Sequence, residues 1–128
     1  MHENETLIRR WFEEVWNQGR LDAIDEMLAN DYATRGLSDD ANGAPSERET
    51  IKAFRKQFAA EFSKLQIDIQ DIVADGPRVA LRCTVDVTQA NTGKEAHFGG
   101  MCFAHVKDGK IAQAWNNFDF ASMRRQLT

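Results

Sequence analysis

The sequence lacks a surplus of basic residues, a long apolar run and a large set of cysteines. Its 16 Lys and Arg against 20 Asp and Glu give a net charge of −4, which disfavours a nucleic-acid backbone or an anionic membrane as the main partner. No apolar run approaches the length that spans a membrane. Only Cys83 and Cys102 are present and the charged start has no apolar leader segment, so we expect buried free thiols and a cytoplasmic protein.

The sequence also lacks metal-ligand spacing, internal repeats and low-complexity tracts. His2, His97 and His105 do not follow a pattern that binds a metal ion, so we expect no metal site. A length of 128 residues suits one domain, and we predict a single domain over residues 1–128.

Apolar residues at helical spacing predict three helices in the first half of the chain. The first carries an aromatic stripe and ends at Gly19, which suits a left-handed stop. The second closes at Asn30 and Asp31, and residues 35–45 are predicted to form a loop. Ser46 and Glu49 form a capping box that opens the third helix. The apolar positions of the three helices are Leu7, Ile8, Trp11, Phe12, Val15, Trp16, then Leu21, Ile24, Met27, Leu28, then Ile51, Phe54, Phe58 and Phe62.

After Ser63 the apolar period changes from helical to alternating, which predicts four antiparallel strands. The first contains Leu65, Ile67 and Ile69, and the others cover residues 79–89, 96–106 and 111–118. Turn residues separate them at 75–77, 91–93 and 107–110. Three helices followed by an antiparallel meander predict an α+β fold whose helices pack on the apolar face of the sheet.

The last hairpin admits two registers at its Asp108-Gly109 turn. A two-residue turn pairs Val106 with Ile111, whereas a three-residue loop, with Gly109 in the left-handed position of a bulge, pairs Val106 with Lys110. We favour the three-residue loop because it gathers mostly small side chains on one face, namely Gly100, Cys102, Ala104, Ala112, Ala114 and Asn116. The opposite face then carries Met101, Phe103, His105, Ile111, Gln113 and Trp115.

Small side chains on the concave face of a sheet leave volume that the helices can roof. Aromatic residues of the first helix (Trp11, Phe12, Trp16) and of the third (Phe54, Phe58) are placed to do so. The floor would consist of Gly100, Cys102, Ala114 and Asn116. An apolar cavity with few polar groups is typical of a small-molecule site.

The convex face carries Met101, Phe103 and Trp115 side by side. Such a patch exceeds what a monomer normally exposes. We therefore expect a homodimer through this face.

Five segments resemble, in their order and spacing, the SnoaL-like polyketide cyclases. They are residues 8–25, Asp31-Tyr32, the 106–111 hairpin, residues 115–119 and residues 125–127, and together they extend along nearly the whole chain. The resemblance implies the nuclear transport factor 2-like (cystatin-like) fold, a cone of curved antiparallel sheet closed by the N-terminal helices. It also implies the three-residue hairpin register.

Family cyclases close a ring by an aldol step without metal or organic cofactor, so the resemblance implies no cofactor here. Their acid/base aspartate falls on Asn116 and their assisting histidine on Cys102, so this chain departs from the pattern at both positions. Asn116 can hydrogen-bond an oxygen but cannot take up a proton. The resemblance places a third polar pocket position near Thr34, with Tyr32 beside it at the cone mouth.

Two positions are candidates for catalysis. Asn116 either orients a ligand oxygen or is a hydrogen-bonded core amide. Asp119 either replaces the missing base or caps the turn that follows, and we favour the cap. Cys102 is expected to be an inert buried thiol.

Three functions remain open from the sequence. The first is a cofactor-free cyclase, isomerase or hydrolase acting on an apolar, carbonyl-bearing molecule. The second is a non-catalytic binder with the same pocket, which the loss of the acid/base pair favours. The third is a protein-interaction module that uses the convex face.

Overall fold

Helices and strands follow one another along the part of the chain that the computed structural model describes, residues 3–36 and 48–128. Four α-helices, one π-helix and five strands are present there. The α-helices are α1 (Glu3–Arg10), α2 (Leu21–Met27), α3 (Arg48–Glu61) and α4 (Phe120–Leu127), and the π-helix is Trp11–Asn17. The strands are β1 (Leu28–Arg35), β2 (Phe62–Asp75), β3 (Arg78–Gln89), β4 (Glu95–Lys107) and β5 (Lys110–Phe118).

The first predicted helix is present, but its second half is a π-helix rather than an α-helix. Its backbone bonds span five residues, as in the 2.9 Å bond from Gln18 N to Glu13 O. In an α-helix residues five apart diverge by about 140° around the axis, whereas π bonding stacks them on one face. Trp11 and Trp16 consequently meet edge to face at 6.5 Å. Gly19 ends the segment with φ +74°, as predicted.

The interpretation of residues 28–35 was wrong. Instead of a helix end and the start of a loop, they form β1, which pairs in parallel with β5 through Thr34 to Ala114 and Arg35 to Trp115. The sheet is therefore mixed, with strand order β1-β5-β4-β3-β2. Phe62 likewise begins β2 rather than extending α3. The predicted α+β class with a curved sheet is confirmed.

The predicted three-residue hairpin loop was also wrong. Val106 pairs with Ile111 across a two-residue turn in which Asp108 and Gly109 both have positive φ, the geometry that matches the twist of a hairpin. One step further, Ala112 has no partner on β4, and this bulge shifts the register. Beyond it Cys102 pairs with Asn116, and Gly100 pairs with Phe118.

The bulge explains which side chains lie on the predicted face of the sheet and which do not. Cys102, Ala104 and Ala114 are buried on the concave face, as predicted. Ile111 is also buried there, whereas the favoured register placed it on the convex face. Ala112 is half-buried, at the bulge itself. A two-residue turn followed by one bulge residue shifts the register by the same amount as a three-residue loop. Beyond the bulge, the even-numbered side chains of β5 therefore lie on the concave face in either case.

The C-terminal helix α4 covers the part of β4 that β5 leaves unpaired. Asp119 N donates to Gly99 O at 3.0 Å, and the Gln126 amide both donates to and accepts from the His97 backbone. These bonds satisfy a strand edge that would otherwise be open to another chain. No helix among the described residues is long and apolar enough to cross a membrane.

Three features of the sequence analysis lie wholly or mostly outside the described residues. Ser46 of the capping box and His2 fall there, as does most of the predicted 35–45 loop.

Candidate functional site

A cavity lies between the concave face of the sheet, the π-helix and α3. It holds about 580 Å³ of space outside the protein atoms, counted to its mouth, of which about 50 Å³ admits the centre of a water molecule. Of its described lining side chains, ten are purely apolar, two are tryptophans that carry an indole N–H, and three carry a hydroxyl or amide group. They are Trp11, Phe12, Trp16, Phe54, Phe58, Leu65, Ile67, Val85, Phe98, Ala114, Phe118 and Phe120, with Tyr32, Thr34 and Asn116.

Two polar side chains fix the π-helix at the cavity roof. The buried Arg55 of α3 donates from Nε to Val15 O at 3.0 Å and from Nη2 to Trp16 O at 2.8 Å, which satisfies carbonyls at the helix end. Asn17 exchanges two hydrogen bonds with the backbone of Ile67, at 2.7 and 3.0 Å. Burial lowers the pKa of Arg55 below its ordinary value. The roof is therefore tied both to α3 and to the edge strand β2.

The hydroxyl and side-chain amide groups of the described lining form one connected patch where β1 meets β5. Nδ2 of Asn116 donates to Thr34 Oγ1 at 2.9 Å and to Arg35 O at 2.8 Å. The Thr34 hydroxyl in turn hydrogen-bonds the phenol of Tyr32. Thr34 is 1% exposed and Tyr32 5%, so this patch lies inside an apolar enclosure.

The orientation of the Asn116 amide follows from its partners. A backbone carbonyl can only accept, so the atom that faces Arg35 O must be the NH₂ group. Both protons of that group are then used, on Arg35 and on Thr34. Among the described residues, no donor reaches the side-chain oxygen Oδ1, which leaves it available as an acceptor.

Burial determines the protonation of the neighbouring groups. It raises the pKa of the Tyr32 phenol well above its ordinary value, and the hydrogen bond from Thr34 opposes this only in part. Burial also raises the pKa of the Cys102 thiol to about 12 and that of Cys83 to about 11. At neutral pH Tyr32 is therefore a hydrogen-bond donor and both cysteines are protonated thiols, which are poor nucleophiles.

The structure brings together most of the residues that the sequence singled out as ligand-binding. Phe12, Trp16, Tyr32, Thr34, Phe54, Phe58, Ala114 and Asn116 all line the cavity. Gly100 and Cys102 do not. The space beside Gly100 is filled by Phe118, whose ring carbon Cδ1 would be 2.1 Å from a Cβ at position 100. Cys102 is buried beneath the lining, near Tyr32.

Asp119 serves as a helix cap. Its Oδ1 accepts from Ser122 N at 3.1 Å at the start of α4, and it does not line the cavity. Among the described residues, no carboxylate, imidazole or ammonium group lines the cavity. No group of three or more His, Cys, Asp or Glu within the described residues could hold a metal ion. The described lining therefore offers hydrogen-bond donors and acceptors but no carboxylate or imidazole that could take up a proton.

Sequence reasoning missed the lining residues that the sheet and C-terminal segment supply, above all Phe98, Phe118 and Phe120. These three rings form a second aromatic arc, with Phe120 at 6.2 Å from Phe98 and 5.9 Å from Phe118. The alternation of β5 places Phe118 on the same face as Asn116, which was the available signal for Phe118. Phe120 depends on α4, which the sequence interpretation did not predict.

Known proteins share this sequence pattern and this fold. A family model described as SnoaL-like polyketide cyclase matches residues 6–127. The structure resembles that of IdmH from Streptomyces antibioticus, a provisionally assigned polyketide cyclase, at 27% identity and TM-score 0.85, over 98% of this chain and 99% of that one. None of the curated proteins matches the chain significantly.

Two further solved structures share the fold alone. A provisionally assigned polyketide cyclase from Acidithiobacillus ferrooxidans is 21% identical over 98% of this chain and 95% of that one, with TM-score 0.84. A nuclear transport factor 2-like protein of unknown function from Burkholderia pseudomallei is 21% identical over 100% of this chain and 99% of that one, with TM-score 0.83. Because the family model spans almost all of the sequence, the chain belongs to the SnoaL-like polyketide cyclase family.

Proposed function

We propose that the chain binds a small, mostly apolar molecule in the cavity, with a carbonyl oxygen of that molecule against Tyr32. The observation that carries the proposal is the patch of hydroxyl and amide groups, Tyr32-Thr34-Asn116, in a described lining that is otherwise aliphatic and aromatic. Convergent polar groups in an apolar enclosure orient a ligand, while apolar contact supplies most of the affinity.

The hydrogen-bond pattern of the patch defines what the ligand must offer. Thr34 Oγ1 accepts from Asn116, and in the proposed arrangement its one proton is donated to the Tyr32 oxygen. The Tyr32 proton is then free to donate to a ligand oxygen, and Asn116 Oδ1 is free to accept. A carbonyl group suits the first of these, and a neighbouring hydroxyl or enol suits the second.

Binding rather than turnover is the better-supported function. Tyr32 can stabilise an enolate as a donor, but deprotonating a carbon needs a base, and the described lining residues include none. A cofactor-free cyclase or isomerase is the second candidate. It is favoured by the 27% identity to IdmH over 98% of the chain.

Binding is tested with two ligands that differ at one carbon, 1-tetralone with a carbonyl and its parent hydrocarbon tetralin with a methylene. We expect both to raise the melting temperature, because each fills apolar volume in the folded state only. We expect 1-tetralone to bind about three- to tenfold more tightly than tetralin in calorimetry, the contribution of one neutral hydrogen bond.

The variant Tyr32→Phe removes the donor and keeps the ring, so it should abolish the preference for 1-tetralone while leaving tetralin affinity unchanged. Phe103 lies on the convex face and does not line the cavity. Phe103→Leu therefore serves as the control, which should keep the preference for 1-tetralone. Absence of binding by both compounds to folded protein would refute the proposal.

The catalytic alternative is tested by exchange of the α-protons of 1-tetralone in D₂O, followed by NMR. Wild type should not exceed the solvent rate, since the described lining residues include no base. Asn116→Asp introduces a carboxylate at the position where family cyclases carry their acid/base group, and we expect exchange to increase at least about tenfold. Rapid exchange by wild type would contradict the binder and support an enzyme.

A further inference from the structure

An outer groove borders the cavity at the end of β5. It is lined on one side by Gly36 and Gly100 and on the other by Ala121 of α4. Three residues, Asn116, Phe118 and Phe120, line both this groove and the cavity. The wall between the two spaces is therefore formed by these three side chains.

Phe118 is the part of that wall which fills the passage. Gly100 pairs with Phe118 across the sheet and lines the groove, and the Phe118 ring lies so close over it that a Cβ there would be 2.1 Å from Cδ1. The same residue also lines the cavity. Asn116 is held by two hydrogen bonds, whereas the apolar ring of Phe118 makes none and packs near Phe120 at a centroid distance of 5.9 Å.

We propose that Phe118, seated on Gly100, sets the length of ligand that the cavity accepts, and that displacing its ring joins the cavity and the groove into one longer site. The cavity leaves about 50 Å³ for the centres of water molecules, so a ligand longer than this space needs side chains to move. Of the three wall residues, Phe118 is the one seated over Gly100, which lines the groove. The inference rests on the proposed function and specifies which ligands that site takes.

The test measures calorimetric affinities for a series of unbranched 2-alkanones, from 2-hexanone to 2-dodecanone, with folded wild type and variants. In wild type we expect the affinity to rise with chain length and then stop at a limit. Phe118→Ala should move that limit to longer chains, with about fourfold tighter binding for each methylene beyond the wild-type limit. Phe118→Leu, which is easier to accommodate, should move it part of the way.

Gly100→Ala provides the converse experiment. Its Cβ overlaps the ring position, so the ring is pushed off its seat and the length limit must change in this variant too. Phe103→Ala removes a ring of the same size from the opposite face of the sheet and should keep the wild-type limit.

The two possible failures are distinguishable. If no 2-alkanone binds to folded wild type or to any variant, the proposed function is wrong. If wild type binds the ketones and the limit is the same in Phe118→Ala, Phe118→Leu and Gly100→Ala, the role of Phe118 is refuted while the proposed function stands. If Phe118→Ala does not fold, the Phe118→Leu and Gly100→Ala limits decide the question.

Discussion

Three consecutive residues at the end of β1 hold Asn116 in place. Thr34 accepts one of its amide protons through the side chain and Arg35 accepts the other through the backbone. Gly36, at φ +80°, lies so close that a Cβ would be 1.9 Å from Asn116 O. The orientation of the one amide in the cavity is therefore determined by the local conformation of a neighbouring strand.

This arrangement makes Gly36 sensitive to any side chain. Gly36→Ala should lower the free energy of unfolding by the strain of a left-handed residue, about 1–2 kcal/mol, plus about 1–3 kcal/mol for the overlap with Asn116. Gly93→Ala is the matched control, because Gly93 has φ +73° but nothing within 4 Å of its Cβ position. Urea unfolding of both variants measures the difference, and equal losses would show that the Asn116 contact is unimportant.

The sequence could identify the polar positions but not their bonds. Asn116 and Thr34 were singled out through the family pattern, and the alternation of β5 indicated the correct face for Asn116. The bonds between them depend on the parallel pairing of β1 with β5, across about 80 residues of chain, which the spacing of apolar residues does not encode.

At the scale of elements, the π-helix is the most unusual component of the site. It presents Trp11 and Trp16 on one face, and its terminal carbonyls are bound by Arg55. Gly19 leaves room for that guanidinium, since a Cβ there would be 3.2 Å from Nη2. The cavity roof therefore depends on a buried cation from α3.

Arg55→Met should lower the free energy of unfolding by about 2–4 kcal/mol, because two buried carbonyls lose charged donors. Arg9→Met is the control: Arg9 makes an exposed pair with Glu5 at 3.2 Å, and its loss should cost at most about 0.5 kcal/mol. Urea unfolding compares the two, and near-ultraviolet circular dichroism reports the tryptophan packing of the roof. A loss in Arg55→Met no greater than in Arg9→Met would contradict this role.

The elements were predictable where the apolar period is unambiguous and not elsewhere. The alternation along β3 and β4 gave their positions to within a residue or two. The pattern of Trp11, Phe12, Val15 and Trp16 fits α- and π-helices alike. The two are distinguished by the backbone hydrogen bonds, which here span five residues. The predicted hairpin register was wrong because a bulge at Ala112 places the later β5 side chains on the same faces that a longer loop would give them.

At the scale of the whole molecule, the convex face carries one continuous row across all five strands. The strand register aligns Val73, Ala80, Phe103, Trp115 and Arg35 side by side. Val73 is 63% exposed and Phe103 and Trp115 are each 38% exposed, while the Arg35 guanidinium lies 5.4 Å from the Trp115 ring centre. An apolar row of this length is more than a monomer normally leaves to solvent.

We expect this row to pack against the same row of a second copy. Ion pairs flank the row, and a two-fold axis can bring the acidic residue of a pair on one copy against the basic residue of a pair on the other. These pairs are Asp71 with Arg82 at 3.8 Å and Asp75 with Arg78 at 3.1 Å. Size-exclusion chromatography with light scattering at micromolar concentration should give twice the chain mass. Phe103→Asp should shift it to the monomer and Lys64→Asp, at the far end of β2, should not. A wild-type monomer would contradict the dimer without affecting the cavity.

The most direct test of the central claim is a crystal structure of the protein with 1-tetralone. The account predicts the ring system among Trp16, Phe54 and Phe98, with the carbonyl oxygen about 2.6–3.0 Å from the Tyr32 hydroxyl. Ligand bound only outside the cavity, or inside it with the oxygen directed away from Tyr32 and Asn116, would contradict the account.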